Sequence, residues 1–262
     1  MGGFWLHPVT FFLTGLVLLI GTQYEYYLMI RNTGVRPQMV PGIITGSTAY
    51  VVSTLIASSV IPKNSFLVLI PMMLVMMVLE LYRKQKKPFD SLAHTFFSIL
   101  YTAIPFSMFP FSAFMRTGLK SLLPHESIIF SPGIIIGFFL LIWANDTGAY
   151  LTGISIGRHK LMERISPKKT WEGFFGGIII AAFVAWLLSD WLGVVNKIHW
   201  VIISLIISLA GTYGDLIESM LKRSIGVKDS GTIMPGHGGF LDRFDSAIIS
   251  FPIVYLFISL FG

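Results

Sequence analysis

The sequence predicts an all-α polytopic integral membrane protein, a helical bundle of about eight transmembrane helices. Three observations lead there. Apolar residues make up 54% of the 262 positions and charged residues only 12%, with a mean hydropathy of +0.74. Apolar runs approaching the ~20 residues that an α-helix needs to cross a bilayer recur along the whole chain. These runs are continuous rather than alternating with period two, which excludes a membrane β-barrel.

The expected spans follow in order, each bounded by polar residues. The first, 8–30, follows MGGFWLHPVT, a start without the Lys or Arg that opens a signal peptide, so it is read as a retained span. Arg31 and Arg36 separate it from 38–60, and Lys63 separates that run from 64–82. Arg83, Lys84, Lys86 and Lys87 precede 90–112, and Arg116 and Lys120 precede 130–155. Arg158, Lys160, Arg164, Lys168 and Lys169 stand before 172–191, and Lys197 before 198–221, a run expected to outlast the membrane. Lys222, Arg223, Lys228 and Arg243 lead to the last span, 244–261. The chain divides into N-terminal helices, 1–128, and a C-terminal catalytic region, 129–262, with loops 156–171 and 222–243. There is no internal repeat, low-complexity segment or soluble domain.

The odd-numbered loops carry 15 of the 19 Lys and Arg residues. The positive-inside rule therefore makes them cytoplasmic and turns both termini outward. The same rule accounts for the net charge of +6 without a polyanionic partner, and no nucleic acid is expected. Both polar-rich loops fall on the cytoplasmic side, so a soluble co-substrate would be a cytoplasmic metabolite. Zero cysteines exclude disulfides, thiolate catalysis and cysteine-ligated metals.

Polar chemistry is concentrated in a few places. Asp146, in WANDTGAY, sits inside an apolar run, where a carboxylate costs about 2.5–3.5 kcal/mol. It marks a functional site or a polar pair that holds the bundle together. In SPKKTWEG, Lys168 and Lys169 precede a helix opening near Trp171–Glu172. They could bind an anion at that helix N-terminus or simply mark a cytoplasmic helix end. Asp215, Glu218, Ser219 and Lys222 fall at i, i+3, i+4 and i+7 on one helix face. This stripe suits a cation and a phosphate, or a solvated helix end with an i, i+4 Glu218–Lys222 pair.

The segment GVKDSGTIMPGHGGFLDRFD favours the functional reading. Gly236, Gly238 and Gly239 permit the close backbone approach that a phosphate nest requires, and Asp242 and Asp245 frame Arg243. A turn would explain the glycines but not Asp229, Asp242, Asp245 and His237 as well, and His237 ranks below the aspartates. The spacing does not fit a Walker A loop.

With these residues in place, the chain closely resembles the phosphatidate cytidylyltransferase family, also called CDP-diacylglycerol synthases. The resemblance rests on Ser219, Leu221, Lys222, Arg223, Lys228, Asp229, Gly231, Pro235, His237, Gly238, Gly239, Asp242, Arg243 and Asp245 in the family's spacing. Upstream, Asp146–Thr147, Ala149–Tyr150, Gly153, Gly157–Arg158 and Ser166 to Gly173 join it. It is strong over roughly 140–262 and generic before that. Met234 stands where the family more often has Leu, Ile or Phe. Family members usually carry another span before the helix bearing a Tyr-Glu motif, here Tyr24–Glu25, so this chain is expected to start one span late.

The resemblance implies transfer of the cytidylyl group of CTP to phosphatidate, giving CDP-diacylglycerol and pyrophosphate. It implies Mg²⁺ on Asp215 and Asp242, with Asp146 and Asp245 as further ligands or supports. Lys222, Arg223, Lys228 and Arg243 would neutralise phosphates, with Lys168 and Lys169 as weaker candidates. Ser219, Gly236, His237, Gly238 and Gly239 would line the substrate site. A homodimer in a bacterial inner membrane completes the expectation. Among the rivals, a transporter would show matched interrupted helices in repeated halves, which are missing here. A CTP-dependent lipid kinase shares the substrates' chemistry but not the Lys222–Asp245 spacing. An inactive structural relative stays open.

Overall fold

The computed structural model describes residues 7–117, 127–227, 229–231 and 238–261. Its helices are α1 (Pro8–Arg31), α2 (Met39–Ala57), α3 (Leu69–Tyr82, entered by a 3₁₀ segment, Lys63–Val68), α4 (Pro88–Ser98), α5 (Ile104–Ala113), α6 (Gly133–Ile156), α7 (Trp171–Leu192), α8 (Lys197–Ser224) and α9 (Leu241–Phe261). A π-helical turn, Ile99–Ala103, fuses α4 to α5, giving one continuous helical segment, Pro88–Ala113. Among the described residues, seven helical segments are long and apolar enough to cross a membrane, and α1 is not one of them. It has 24 residues, but Thr22, Gln23 and Glu25 interrupt its apolar character, and all three are fully buried. The expected spans each coincide with a helix.

Two short antiparallel hairpins were not foreseen. Strands β1 (Phe114–Thr117) and β2 (Ser127–Phe130) pair in the fourth predicted loop. Strands β3 (Lys160–Met162) and β4 (Ser166–Thr170) pair in the fifth.

The chain forms two compact units. The first comprises Met1–Pro132 and Asp229–Leu241. Its core is aromatic: Phe11, Tyr26, Tyr27 and Tyr50 are buried, and the Tyr27 hydroxyl donates to Thr95 O at 3.1 Å. Three threonine hydroxyls inside these helices are satisfied locally. Thr22, Thr95 and Thr102 each donate to the carbonyl four residues back at 2.7 Å, the economical solution where water is absent. A polar knot ties three helices. Gln38 Nε2 donates to Glu80 Oε2 at 2.6 Å, and Arg83 Nη1 pairs with the same oxygen at 2.6 Å and donates to Ser91 at 3.0 Å.

The second unit comprises Gly133–Lys228 and Asp242–Gly262. Here α6 and α7 meet through small residues. Gly173 and Gly177 of α7 face Ala149, Gly153 and Asn145 of α6, and an added Cβ on Gly177 would come within 2.8 Å of Asn145 O. Small residues at four-residue spacing let two backbones approach, which is how helices associate where lipid removes any hydrophobic driving force. The outer face of α7 presents Phe175, Ile179, Phe183, Trp186 and Trp191 as an exposed apolar stripe suited to lipid. Phe138 of α6 meets Phe251 of α9 edge-on at 5.0 Å, and Trp200 of α8 is fully buried.

Candidate active site

The candidate site lies in the second unit, where the end of α8 meets the starts of α7 and α9. The C-terminal half of α8 turns polar at Gly214–Asp215, and helical spacing puts Asp215, Glu218, Ser219 and Lys222 on one stripe. Gly214 lets α9 come close: a Cβ there would lie 2.6 Å from Asp245 O and 3.2 Å from Ser246 Cα. That contact brings Asp245 onto the stripe. Carboxylate oxygens of Asp215, Glu218 and Asp245 all lie within 4.8 Å of one another.

Two lysines flank this acidic group. Lys169, at the end of the β3–β4 hairpin, places Nζ 2.6 Å from Asp215 Oδ2. Lys222 is buried; its ammonium pairs with Glu218 and lies 2.7 Å from Asp242 Oδ1. Glu218 is completely buried. The predicted i, i+4 Glu218–Lys222 pair is therefore present, but at a buried helix end rather than a solvated one. Ser219 Oγ donates to Asp215 Oδ1 at 3.2 Å, which orients the carboxylate.

Asp146, on α6, accepts from Asn145 Nδ2 at 3.4 Å and lies within electrostatic range of Lys169, Asp215 and Asp245. Asp242 is outside the three-carboxylate group and pairs instead with Lys222. Arg223 is exposed, and its Nη1 donates to Val227 O at 3.3 Å; Arg243 and Lys168 are also exposed. Gly238 adopts φ +79°, in the left-handed region that favours glycine. Gly239 belongs with Gly238 to the first unit, packed near Glu25. Lys228, Gly236 and His237 lie outside the described residues.

Glu218, read from the sequence as part of the stripe, belongs to the acidic group itself. Glu172 was not singled out as a site group from the sequence. Glu172 accepts from the backbone N–H of Arg158 at 3.1 Å and of His159 at 3.2 Å, and meets His159 Nδ1 at 2.6 Å. Thr170 caps α7, its Oγ1 accepting from Gly173 N at 3.1 Å. Together they clamp the hairpin that carries Lys169. Nothing in local sequence identifies the Glu172 contact, because its partners lie 13 and 14 residues away.

Three carboxylates supply the hard oxygen donors that Mg²⁺ prefers. Glu218 adds a fully buried carboxyl group, ion-paired with Lys222. The residues present thus fit such an ion. An apolar cavity of about 260 Å³ lies among β3, α7 and α8, lined by Leu161, Met162, Trp171, Phe174, Tyr213 and Leu216 among others.

The model of the cytidylyltransferase family matches residues 1–261. The chain belongs to the cytidylyltransferase family. Members of similar sequence include the phosphatidate cytidylyltransferase of Bacillus subtilis (strain 168), 48% identical over 124 residues, which covers 47% of this chain and 46% of that protein. The phosphatidate cytidylyltransferase of Staphylococcus epidermidis is 47% identical over 122 residues, 46% of each chain. That of Staphylococcus aureus (strain COL) is 48% identical over 122 residues, again 46% of each. The matched segment spans a little under half the length of these curated cytidylyltransferases.

Proposed function

We propose that this protein transfers the cytidylyl group of CTP to phosphatidate, giving CDP-diacylglycerol and pyrophosphate for phospholipid synthesis. The observation that carries the reading is the group Asp215, Glu218 and Asp245, held between Lys169 and Lys222 in a helical unit built to cross a bilayer. The names of the similar proteins supply the substrates.

The chemistry suits the residues. A phosphate monoester has a second pKa of about 6, so phosphatidate is largely a dianion near neutral pH and already nucleophilic. No general base is required. A phosphatidate oxygen attacks the α-phosphorus of CTP, forming a new P–O bond. The bond from the α-phosphorus to the bridging oxygen breaks, and its electron pair leaves with pyrophosphate. The difficulty is to bring two polyanions together and to stabilise charge on the leaving group. Mg²⁺ bound by Asp215, Glu218 and Asp245, with Asp146 and Asp242 beside them, would supply charge neutralisation and positioning.

The protein's own groups do the rest. Lys169 and Lys222 offer ammonium groups beside the carboxylates, and these would be available to phosphate were the carboxylates to hold a cation. Arg223, Arg243, Lys228 and Lys168 add positive charge, and Gly236, Gly238, Gly239 and His237 lie in the segment that would meet the triphosphate. The lysine and arginine distribution supports a cytoplasmic position for these loops, and the bacterial origin of the similar proteins supports an inner membrane. Phosphatidate enters from the cytoplasmic leaflet with its acyl chains remaining in lipid. A homodimer is what the family resemblance implies.

The test uses purified protein in mixed micelles with phosphatidate, Mg²⁺ and CTP labelled on the α-phosphorus. Label should enter the lipid phase as pyrophosphate appears, only with Mg²⁺, and not with Asp245→Asn. Lipid label arising from the γ-phosphorus instead, with release of CDP, would identify a lipid kinase and overturn the reading.

A further inference from the structure

Glu25, half of the Tyr24–Glu25 motif, plays no part in the chemistry above, yet it is one of the most completely enclosed charged residues of the first unit. Burying a carboxyl group costs free energy unless hydrogen bonds or a cation compensate. Among the described residues no Lys, Arg or His pairs with it. Its Oε2 instead accepts the backbone N–H of Leu241 at 2.9 Å and the hydroxyl of Ser230 at 3.2 Å. These donors flank the glycine-rich segment on both sides and lie 205 and 216 positions from Glu25.

The surroundings are built to this contact. A Cβ on Gly231 would lie 2.9 Å from Glu25 Oε1, and one on Gly239 would overlap Oε2. One helical turn earlier, Gly21 leaves room for the Phe240 ring, against which an added Cβ would approach to 2.8 Å. Gly21 and Glu25 stand at i and i+4 on α1, so one face of that helix seats Phe240 and caps Leu241. Leu241 is the first residue of α9, whose opening N–H groups have no partner within the helix. A carboxylate there satisfies an orphan donor and complements the positive end of the helix dipole.

We infer that Glu25 is a positioning residue. It caps α9 from a distant helix and pins both flanks of the glycine-rich segment, fixing the chain immediately before Asp242 and Asp245. This rests on the proposed cytidylyl transfer for its effect on rate, but not for the anchoring itself. The tolerance is tight: a loose cap would let the first turn of α9 fray, and Asp242 is the very next residue.

The test combines hydrogen–deuterium exchange with steady-state kinetics on the full chain in micelles, for Glu25→Gln and the milder Ser230→Ala. In Glu25→Gln, exchange over 238–245 should rise about tenfold to a hundredfold. Exchange in α3 and α7 should stay at the parent rate. Both kcat and kcat/KM should fall together by about tenfold, the pattern of lost transition-state positioning. Ser230→Ala should move both readouts the same way by less. Unchanged exchange over 238–245, or faster exchange there at an undiminished rate, overturns the assignment. Exchange that rises uniformly in both variants also overturns it, since Glu25 would then be a general support of the fold. If the parent protein transfers no label, the cytidylyl-transfer reading fails while the exchange arm still decides the anchoring.

Discussion

The Lys222 ammonium lies 2.7 Å from Asp242 Oδ1, tying the last turns of α8 to the first turn of α9. The same ammonium pairs with buried Glu218, so one cation serves two carboxylates from two helices. Removing one member of a buried pair costs about 3–5 kcal/mol, because the abandoned charge has no water. Lys222→Met should therefore lower the thermal unfolding midpoint in detergent and abolish activity. Adding Glu218→Gln should recover much of the stability and none of the activity. A double variant no more stable than Lys222→Met would show that the pair is not what holds the helices.

The Asp215–Glu218–Asp245 group predicts a strict metal requirement. Chelation with EDTA should stop label transfer, and Mg²⁺ should restore it. Asp245→Asn and Asp215→Asn should each reduce activity at least about a hundredfold and raise the Mg²⁺ concentration needed for half-maximal rate. A metal titration curve unchanged in both variants would remove these residues from the metal site.

Thr170 and Glu172 support the hairpin without belonging to the acidic group. Thr170→Ala removes the α7 cap and should cost about 1 kcal/mol. Because Lys169 is the adjacent residue, the rate should fall modestly as well. Measured stability and rate that both match the parent protein would rule out the clamp.

The α6–α7 seam depends on the absence of side chains. Gly177→Leu would force a bulky group against Asn145 and Ala149, at a cost of about 1–3 kcal/mol for overpacking. Thermal melts should show it, while Phe175→Leu on the exposed face should leave stability close to that of the parent.

Much of this architecture could be read before any coordinates. Continuous apolar runs gave every helix, because a bilayer leaves the backbone almost no alternative to helix. The stripe of Asp215, Glu218, Ser219 and Lys222 was legible because helical spacing alone determines it. The pairing of Lys169 with Asp215, and of Lys222 with Asp242, was not, since it depends on how separate helices dock. The Glu172 clamp was hidden because its partners lie 13 and 14 residues away. The two hairpins were missed because loop polarity announces a connection but not its hydrogen bonding. The meaning of Glu25 needed contacts more than 200 positions apart.

The 28 residues of α8 make a rod of about 42 Å, while the hydrocarbon layer of a typical bilayer is about 30 Å thick. Its apolar stretch and its acidic stripe are one rigid object. A thicker membrane that recruits more of the rod into hydrocarbon must draw Asp215 and Glu218 closer to the oil, and a thinner one must lift them toward water. The depth of the carboxylates is thus coupled to the lipid around them, so the chemistry proposed for this site would be read against a ruler laid across the membrane.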